Sequence, residues 1–217
     1  MMKKNVFAKN RMDYLLNLIE PSKKDKILNI GISNIPEIEM KLEDKVKEVW
    51  TIDLDKKKLQ DAKKFLKKTK LIEGDALKTK FKKGYFDKVV ILEVLEHLEK
   101  DQQMVDKISQ ILKKNGKLII SVPNDSFMHI INPLKYFEHK RHYSKEKIIK
   151  VIENSGFKIE HFNVVENWKL LGNLYLHILN KFLLRKKRKF NLFDKNKNET
   201  YSQKNRSGLD IVIKARK

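Results

Sequence analysis

The sequence predicts an α/β fold in which a largely parallel sheet carries helices on both faces. Three observations lead there. First, the runs KILNI (26–30), EVWTID (48–53), KLIEGD (70–75), FDKVVILE (86–93) and GKLIISVP (116–123) are rich in β-branched and aliphatic residues, and they alternate with lysine-rich segments of helical period. Second, turn and capping signals fall between these runs. Third, 217 residues with 41% apolar and 35% charged side chains suffice for one packed core with a well-charged surface, which excludes wholesale disorder. Residues 1–217 are therefore expected to form one domain with an appendage.

The elements follow in order. Within residues 1–22, Val6, Phe7, Met12, Leu15, Leu16, Leu18 and Ile19 recur at helical spacing, which predicts a leading helix over 6–20 that PSKKDK ends. After the first strand, Asn34 and Glu37 have the spacing of a capping box, with Pro36 in the first turn of the helix it would start. The segment DKKKLQDAKKFLKKTK predicts a helix with Leu59, Ala62 and Phe65 inward and its lysines in solvent. Asn115-Gly116 is expected to turn the chain before the fifth strand, and Pro123 to follow that strand. Ser144 can cap a helix over 145–155, with Glu146 in its first turn and Gly156 just past its end. FKIEHFNVVE and GLDIVIKAR read as a sixth and a seventh strand. Between them, 167–207 is an insertion: an apolar helix whose polar stripe is Lys169, Asn173, His177 and Asn180, then RKKRK, then a polar tail. This helix is shorter than the roughly 20 apolar residues a membrane span needs.

Charge and cysteine content bound the chemistry. Forty-nine Lys and Arg against 28 Asp and Glu give a formal charge of +21, which would attract nucleic acid, an anionic membrane surface or a phosphorylated substrate. The lysines are nevertheless scattered along most of the chain, as on solvated helix faces. With no cysteine, disulfides, thiolate metal sites and cysteine nucleophiles are excluded. The start MMKKNVFAKNRMDYLL has no uninterrupted apolar core, so no signal peptide is read and a cytoplasmic location is expected.

The stretch ILNIGISNI (27–35) resembles a nucleotide-binding turn with one glycine. Gly31 sits at the turn, and Asp53 closes the second strand 22 residues later, where an acid can accept hydrogen bonds from both ribose hydroxyls. Ser33 and Ile35 occupy the later glycine positions of a G-x-G-x-G pattern, so close backbone approach to a pyrophosphate is disfavoured. A cofactor with an adenosine and no phosphate asks less of such a loop.

In ILNIGIS, VWTIDLD, IEGDAL, FDKVVILEVLEHLEK, LKKNGKLIISVPN and HKRHYSKEKIIKVIENSGFKI, taken in order, the sequence resembles the class I S-adenosylmethionine-dependent methyltransferases over nearly its whole length. The small-molecule type, including the ubiquinone-pathway O-methyltransferases, is the most similar group. The resemblance implies a Rossmann-like, doubly wound seven-stranded sheet, mostly parallel with an antiparallel last strand. It implies Gly31 as the turn under the cofactor, Asp53 as the ribose clamp, Asp75 as the acid near the adenine amino group, and Leu54, Ala76 and Glu93 as further cofactor-binding residues. Asn29 stands where the family more often has an acid, and would reach the cofactor's methionine end through a water without supplying charge. Ser33 would donate its hydroxyl toward the methionine carboxylate.

Two polar clusters remain. EVLEH (93–97) places Glu93, Glu96 and His97 at the spacing of one helical face. The set suits Mg²⁺ or Mn²⁺ and resembles the E-x-x-E-H of metal-dependent small-RNA 2′-O-methyltransferases. It equally suits a general-base role for His97 or a helix start alone, and a metal is not favoured. In the second cluster, the resemblance sets His139 and His142 as candidate bases, with Arg141, Tyr143 and Asn124 toward the acceptor; bracing of the loop is the competing reading. The expected function is methyl transfer to a small molecule, preferably at oxygen, with the acceptor apolar or lipid-linked. Peripheral contact with an anionic membrane through 168–190 is an accompanying expectation. RNA methylation is favoured only by charge, since no RNA-binding module is recognisable; a non-catalytic binding protein of the same fold is the third reading.

Overall fold

The computed structural model describes residues 10–124, 140–165 and 210–217. These form a seven-stranded sheet flanked by helices. In chain order the elements are α1 (Arg11–Ile19), β1 (Lys26–Ile30), α2 (Glu37–Leu42), β2 (Glu48–Asp53), α3 (Lys56–Ala62), β3 (Lys70–Glu73), β4 (Phe86–Leu92), a 3₁₀ turn (Leu95–His97), α4 (Asp101–Ile111), β5 (Leu112–Pro123), α5 (Lys145–Asn154), β6 (Lys158–Val165) and β7 (Asp210–Arg216). The strand order is β3-β2-β1-β4-β5-β7-β6. All neighbouring pairs from β3 to β5 are parallel, and β7 runs antiparallel to both β5 and β6. The doubly wound sheet with a reversed last strand is therefore the observed architecture.

Both faces of the sheet are covered, and alternate strand residues feed two cores. Leu28, Val89, Ile91, Leu118 and Ile120 point to the side of α4 and α5. Ile27, Val49, Val90 and Ile119 point to the side of α1 and α2. The chain leaves β1 toward β2 on one side and returns to β4 on the other. This places a switch point at the carboxyl ends of β1 and β4, where ligands of open α/β sheets bind.

Local chemistry explains most element ends. Asn10 caps α1 by accepting from the Asp13 amide, and Ser144 caps α5 by accepting from the Lys147 amide. Three expectations are corrected. Pro36, not Asn34, occupies the N-cap of α2, with no side-chain capping bond, so the Asn34/Glu37 capping box does not form. α3 ends at Ala62, leaving Phe65 47% exposed, while Leu66 joins Leu59 and Ala62 in a small core. Asn115-Gly116 does not precede β5 but lies within it, as a bulge: β4 advances from Phe86 to Lys88 while β5 advances from Leu112 to Lys117. Asn115 takes φ +62° there, a left-handed conformation that asparagine tolerates better than most residues. Residues 1–9 of the leading segment and the insertion 167–207 lie outside the described residues. Among the described residues, no helix is long and apolar enough to cross a membrane.

Candidate active site

The carboxyl ends of β1, β2 and β4 open into a cleft of about 820 Å³. That volume lies in the range of small-molecule and cofactor sites, roughly 300–1,000 Å³. Of the residues assigned to the cofactor from sequence, Asn29, Gly31, Ser33, Asp53, Leu54, Asp75, Ala76 and Glu93 all line it, and so does His97. Four separate loops thus converge on one cavity.

Gly31 occupies its turn for two physical reasons. Its φ is +86°, and a Cβ there would meet Val94 Cγ2 at 2.4 Å. Only glycine lets the chain turn from β1 while the segment after β4 packs against it.

Asp53 sits at the end of β2 with its carboxylate aimed by the backbone. Oδ2 accepts from the Ile32 amide and Oδ1 from the Asp55 amide, each at 2.7 Å. One donor on each oxygen leaves further lone pairs for a diol, because a carboxylate offers about four acceptor sites. Leu54, next to it, is 72% exposed, and Ile35 across the first loop is 58% exposed. Large apolar side chains held at the rim of a cleft suit a flat aromatic ring. Asp75 is fixed by the Leu77 amide at 2.8 Å, and Ala76 is buried beside it. An adenosine fits this set: a two-point acceptor for a ribose diol, a carboxylate for an exocyclic amine and apolar rims.

The first loop departs from expectation at Ser33 and Asn29. Ser33 donates its hydroxyl to the Ile35 carbonyl at 2.5 Å, so that proton is spent inside the loop. Asn29 is buried, and its amide nitrogen donates to Gly31 O at 2.8 Å and to Glu39 Oε1 at 2.6 Å. Glu39, from α2, also accepts from the Thr51 hydroxyl at 3.1 Å and lines the cleft. Burial pushes its carboxyl above the ordinary value. A buried acid beside the β1 loop was missed from sequence because EIEMKL reads as an ordinary helix face; the lone hint was the absent acid at Asn29. Arg11 of α1 was missed as well: it lines the cleft and lies 4.0 Å from Glu93 Oε1.

The EVLEH segment is corrected in its geometry. Glu93 adopts φ +54°, so no helical face carries Glu93, Glu96 and His97 together; only Leu95–His97 make a 3₁₀ turn. Glu93 accepts from the Ser121 hydroxyl at 2.5 Å, whereas Glu96 turns inward and is 2% exposed. Among the described residues no group of three acids or histidines is arranged to hold a metal. Glu96 Oε2 has no hydrogen-bond partner among the described residues. Its carboxyl is pushed up to about 7, by burial first and by the charge of Asp210 second. Glu96 Oε1 lies 3.8 Å from His97 Nε2, and the His97 side chain is half exposed on the cleft wall.

The second cluster braces the fold more than it faces the cleft. Tyr143 is fully buried and donates its hydroxyl to Asp101 Oδ2 at 2.9 Å, and its substrate assignment is corrected to a core residue joining α4 to the start of α5. Asn124 is buried and pairs with Tyr143 in an isolated bridge between extended segments. Arg141 donates its amide to Glu96 O at 2.9 Å and its guanidinium to Glu99 O, so it ties the loop to the 3₁₀ turn. The His142 carbonyl accepts from Lys147 Nζ at 2.8 Å. None of these four lines the cleft. His139 lies outside the described residues.

The sheet order and the switch-point cleft are similar to those of the class I S-adenosylmethionine-dependent methyltransferases. A family model described as a methyltransferase domain matches residues 34–120. An uncharacterized protein of Methanocaldococcus jannaschii is 38% identical over 106 residues, covering 48% of this chain and 44% of the relative. A mitochondrial ubiquinone biosynthesis O-methyltransferase of Dictyostelium discoideum is 39% identical over 49 residues, covering 23% of this chain and 15% of that protein. The chain spans about half the length, or less, of the curated relatives it matches. Among solved structures, a putative methyltransferase from Bacillus halodurans superposes with a TM-score of 0.67 at 18% identity, over 93% of this chain and 97% of that one.

Proposed function

We propose that this chain transfers a methyl group from S-adenosylmethionine to a hydroxyl of a small, largely apolar acceptor. The observation that carries the reading is Asp53: two backbone amides aim its carboxylate into the cleft and leave acceptor capacity on both oxygens. Gly31, Asp75 and the exposed Leu54 line the same cleft, which supports the reading. The sulfonium of the bound cofactor supplies the activated methyl group. The chain's own task is to hold the acceptor oxygen in line with that methyl, exclude water and take the hydroxyl proton. His97 is the described side chain on the cleft wall suited to that last step, since a neutral imidazole accepts a proton near neutral pH. With the cofactor bound, its methyl would pass to the acceptor oxygen, and His97 would take the hydroxyl proton. A small acceptor is favoured by the half-exposed position of His97 inside a bounded cleft.

Calorimetry tests the cofactor. S-adenosylhomocysteine should bind the full chain, and Asp53→Ala should weaken it by roughly 10- to 100-fold, the cost of about 1.5–3 kcal/mol of charge-assisted hydrogen bonding. Unchanged affinity in that variant rejects the ribose assignment. The net charge of +21 motivates a second reading, RNA as acceptor. Labelled methyl groups appearing in cellular RNA, and not in a lipid or small-metabolite extract, would favour it over the first.

A further inference from the structure

Glu39 is 1% exposed, yet no basic side chain forms an ion pair with it among the described residues. Its carboxylate accepts from two side-chain donors, the Asn29 amide and the Thr51 hydroxyl, both on Oε1, and from its own backbone amide. A buried carboxylate held only by neutral donors is costly in its ionised form, and a cation brought alongside would offset that cost. β1 and β2 set the arrangement, because Asn29 and Thr51 are register partners on the sheet face that α2 covers. The orientation of the Asn29 amide is fixed chemically. Both its N–H groups point at acceptors, Gly31 O and Glu39 Oε1, so its own oxygen is the remaining group. Asn29 and Glu39 both line the cleft beside Gly31.

We propose that Glu39, acting through Asn29, is the anionic determinant for a ligand ammonium, namely the amino group at the methionine end of the cofactor. The assignment rests on the methyltransferase reading above. Asn29 Oδ1 accepts from the ammonium, and the Glu39 carboxylate behind it polarises the amide and balances the charge. The chain has thus moved its acid from the strand to α2 and placed an amide between acid and ligand. Glu39 is a positioning residue in this scheme. Asn29 is the residue that touches the ligand.

Two ligands separate this role from a merely structural one. S-adenosylhomocysteine carries the amino-acid end, and 5′-methylthioadenosine shares the adenosine and thioether but lacks it. In titrations of the full chain, Glu39→Gln should weaken S-adenosylhomocysteine about tenfold and leave 5′-methylthioadenosine unchanged. The swapped variant Asn29→Asp/Glu39→Gln keeps one carboxylate and one amide in contact and should recover the wild-type preference for S-adenosylhomocysteine. Equal weakening of both ligands, or of neither, overturns the role of Glu39. So does a swapped variant that discriminates no better than Glu39→Gln. If Glu39→Gln does not fold, the swapped variant decides alone, by retaining or losing that preference. Failure of the wild-type chain to bind either ligand would instead reject the methyltransferase reading itself.

Discussion

At the scale of single residues the site is specified by a few contacts that tolerate little change. Gly31 combines φ +86° with a Val94 methyl that a Cβ would meet at 2.4 Å. Gly31→Ala is therefore expected to cost about 2 kcal/mol or more in urea unfolding, from left-handed strain together with overlap. Adding Val94→Ala should return the overlap part but not the strain, so the double variant should stay less stable than Val94→Ala alone. Full recovery would show that φ at this turn is unimportant. Tyr143 tests a different contact. Its buried hydroxyl donates to Asp101 Oδ2, and Tyr143→Phe leaves that acceptor short of a donor in the interior. A loss of about 1–2 kcal/mol is expected, with cofactor affinity unchanged because Tyr143 does not line the cleft. A large loss of cofactor affinity at unaltered stability would return Tyr143 to the binding cleft.

At the scale of elements, the turn after β4 carries an unusual acid. Glu96 is raised from its ordinary 4.5 to about 7 by burial and by Asp210. A carboxyl whose folded value lies above its unfolded value contributes stability fully below pH 4.5, and that contribution is lost as pH rises through 7. Wild-type stability should accordingly fall between pH 5 and pH 8 by on the order of 1–3 kcal/mol on this account. Glu96→Gln mimics the protonated form, so urea midpoints at the two pH values should converge in the variant and exceed wild type at pH 8. An undiminished slope would assign the dependence to other groups. This turn also marks where sequence reading stopped. The strands were legible from aliphatic runs, Gly31 and Asp53 from their spacing, and Asp75 from the resemblance to the methyltransferases, because backbone geometry at strand ends follows chain order. EVLEH was read as a helical face, whereas Glu93 takes φ +54° with its carboxylate accepting from Ser121, 28 residues away in β5. Glu39 was hidden for the same reason: it lies in α2, and its partners Asn29 and Thr51 lie in β1 and β2. Tertiary hydrogen bonds of this kind leave no local pattern in the chain.

At the scale of the molecule the balance of charge is the dominant feature. A formal charge of +21 on 217 residues repels itself, and compaction brings those charges closer than they are in the unfolded chain. Opposing this are ion pairs such as Lys68–Asp44 and Lys64–Asp61, whose side chains are largely exposed; pairs of this kind contribute roughly 0–1 kcal/mol each and are screened by the same salt. Lys88–Asp25, with both side chains mostly buried at 2.5 Å, is less open to screening. The two effects differ in range. Net repulsion acts between many charges over distances near the Debye length, about 10 Å at 0.1 M and about 3 Å at 1 M salt, whereas contact pairs act at a few ångströms and survive longer as salt rises. Raising sodium chloride from 0.05 to about 0.5 M should therefore remove more repulsion than attraction. The thermal midpoint is expected to rise by about 2–4 °C, equivalent to about 1 kcal/mol for a chain of this size. A midpoint that falls steadily with salt would mean that the exposed pairs outweigh the net charge. The same experiment in the presence of S-adenosylhomocysteine bears on the site, since Glu39 is buried and should hold an ammonium with little sensitivity to salt.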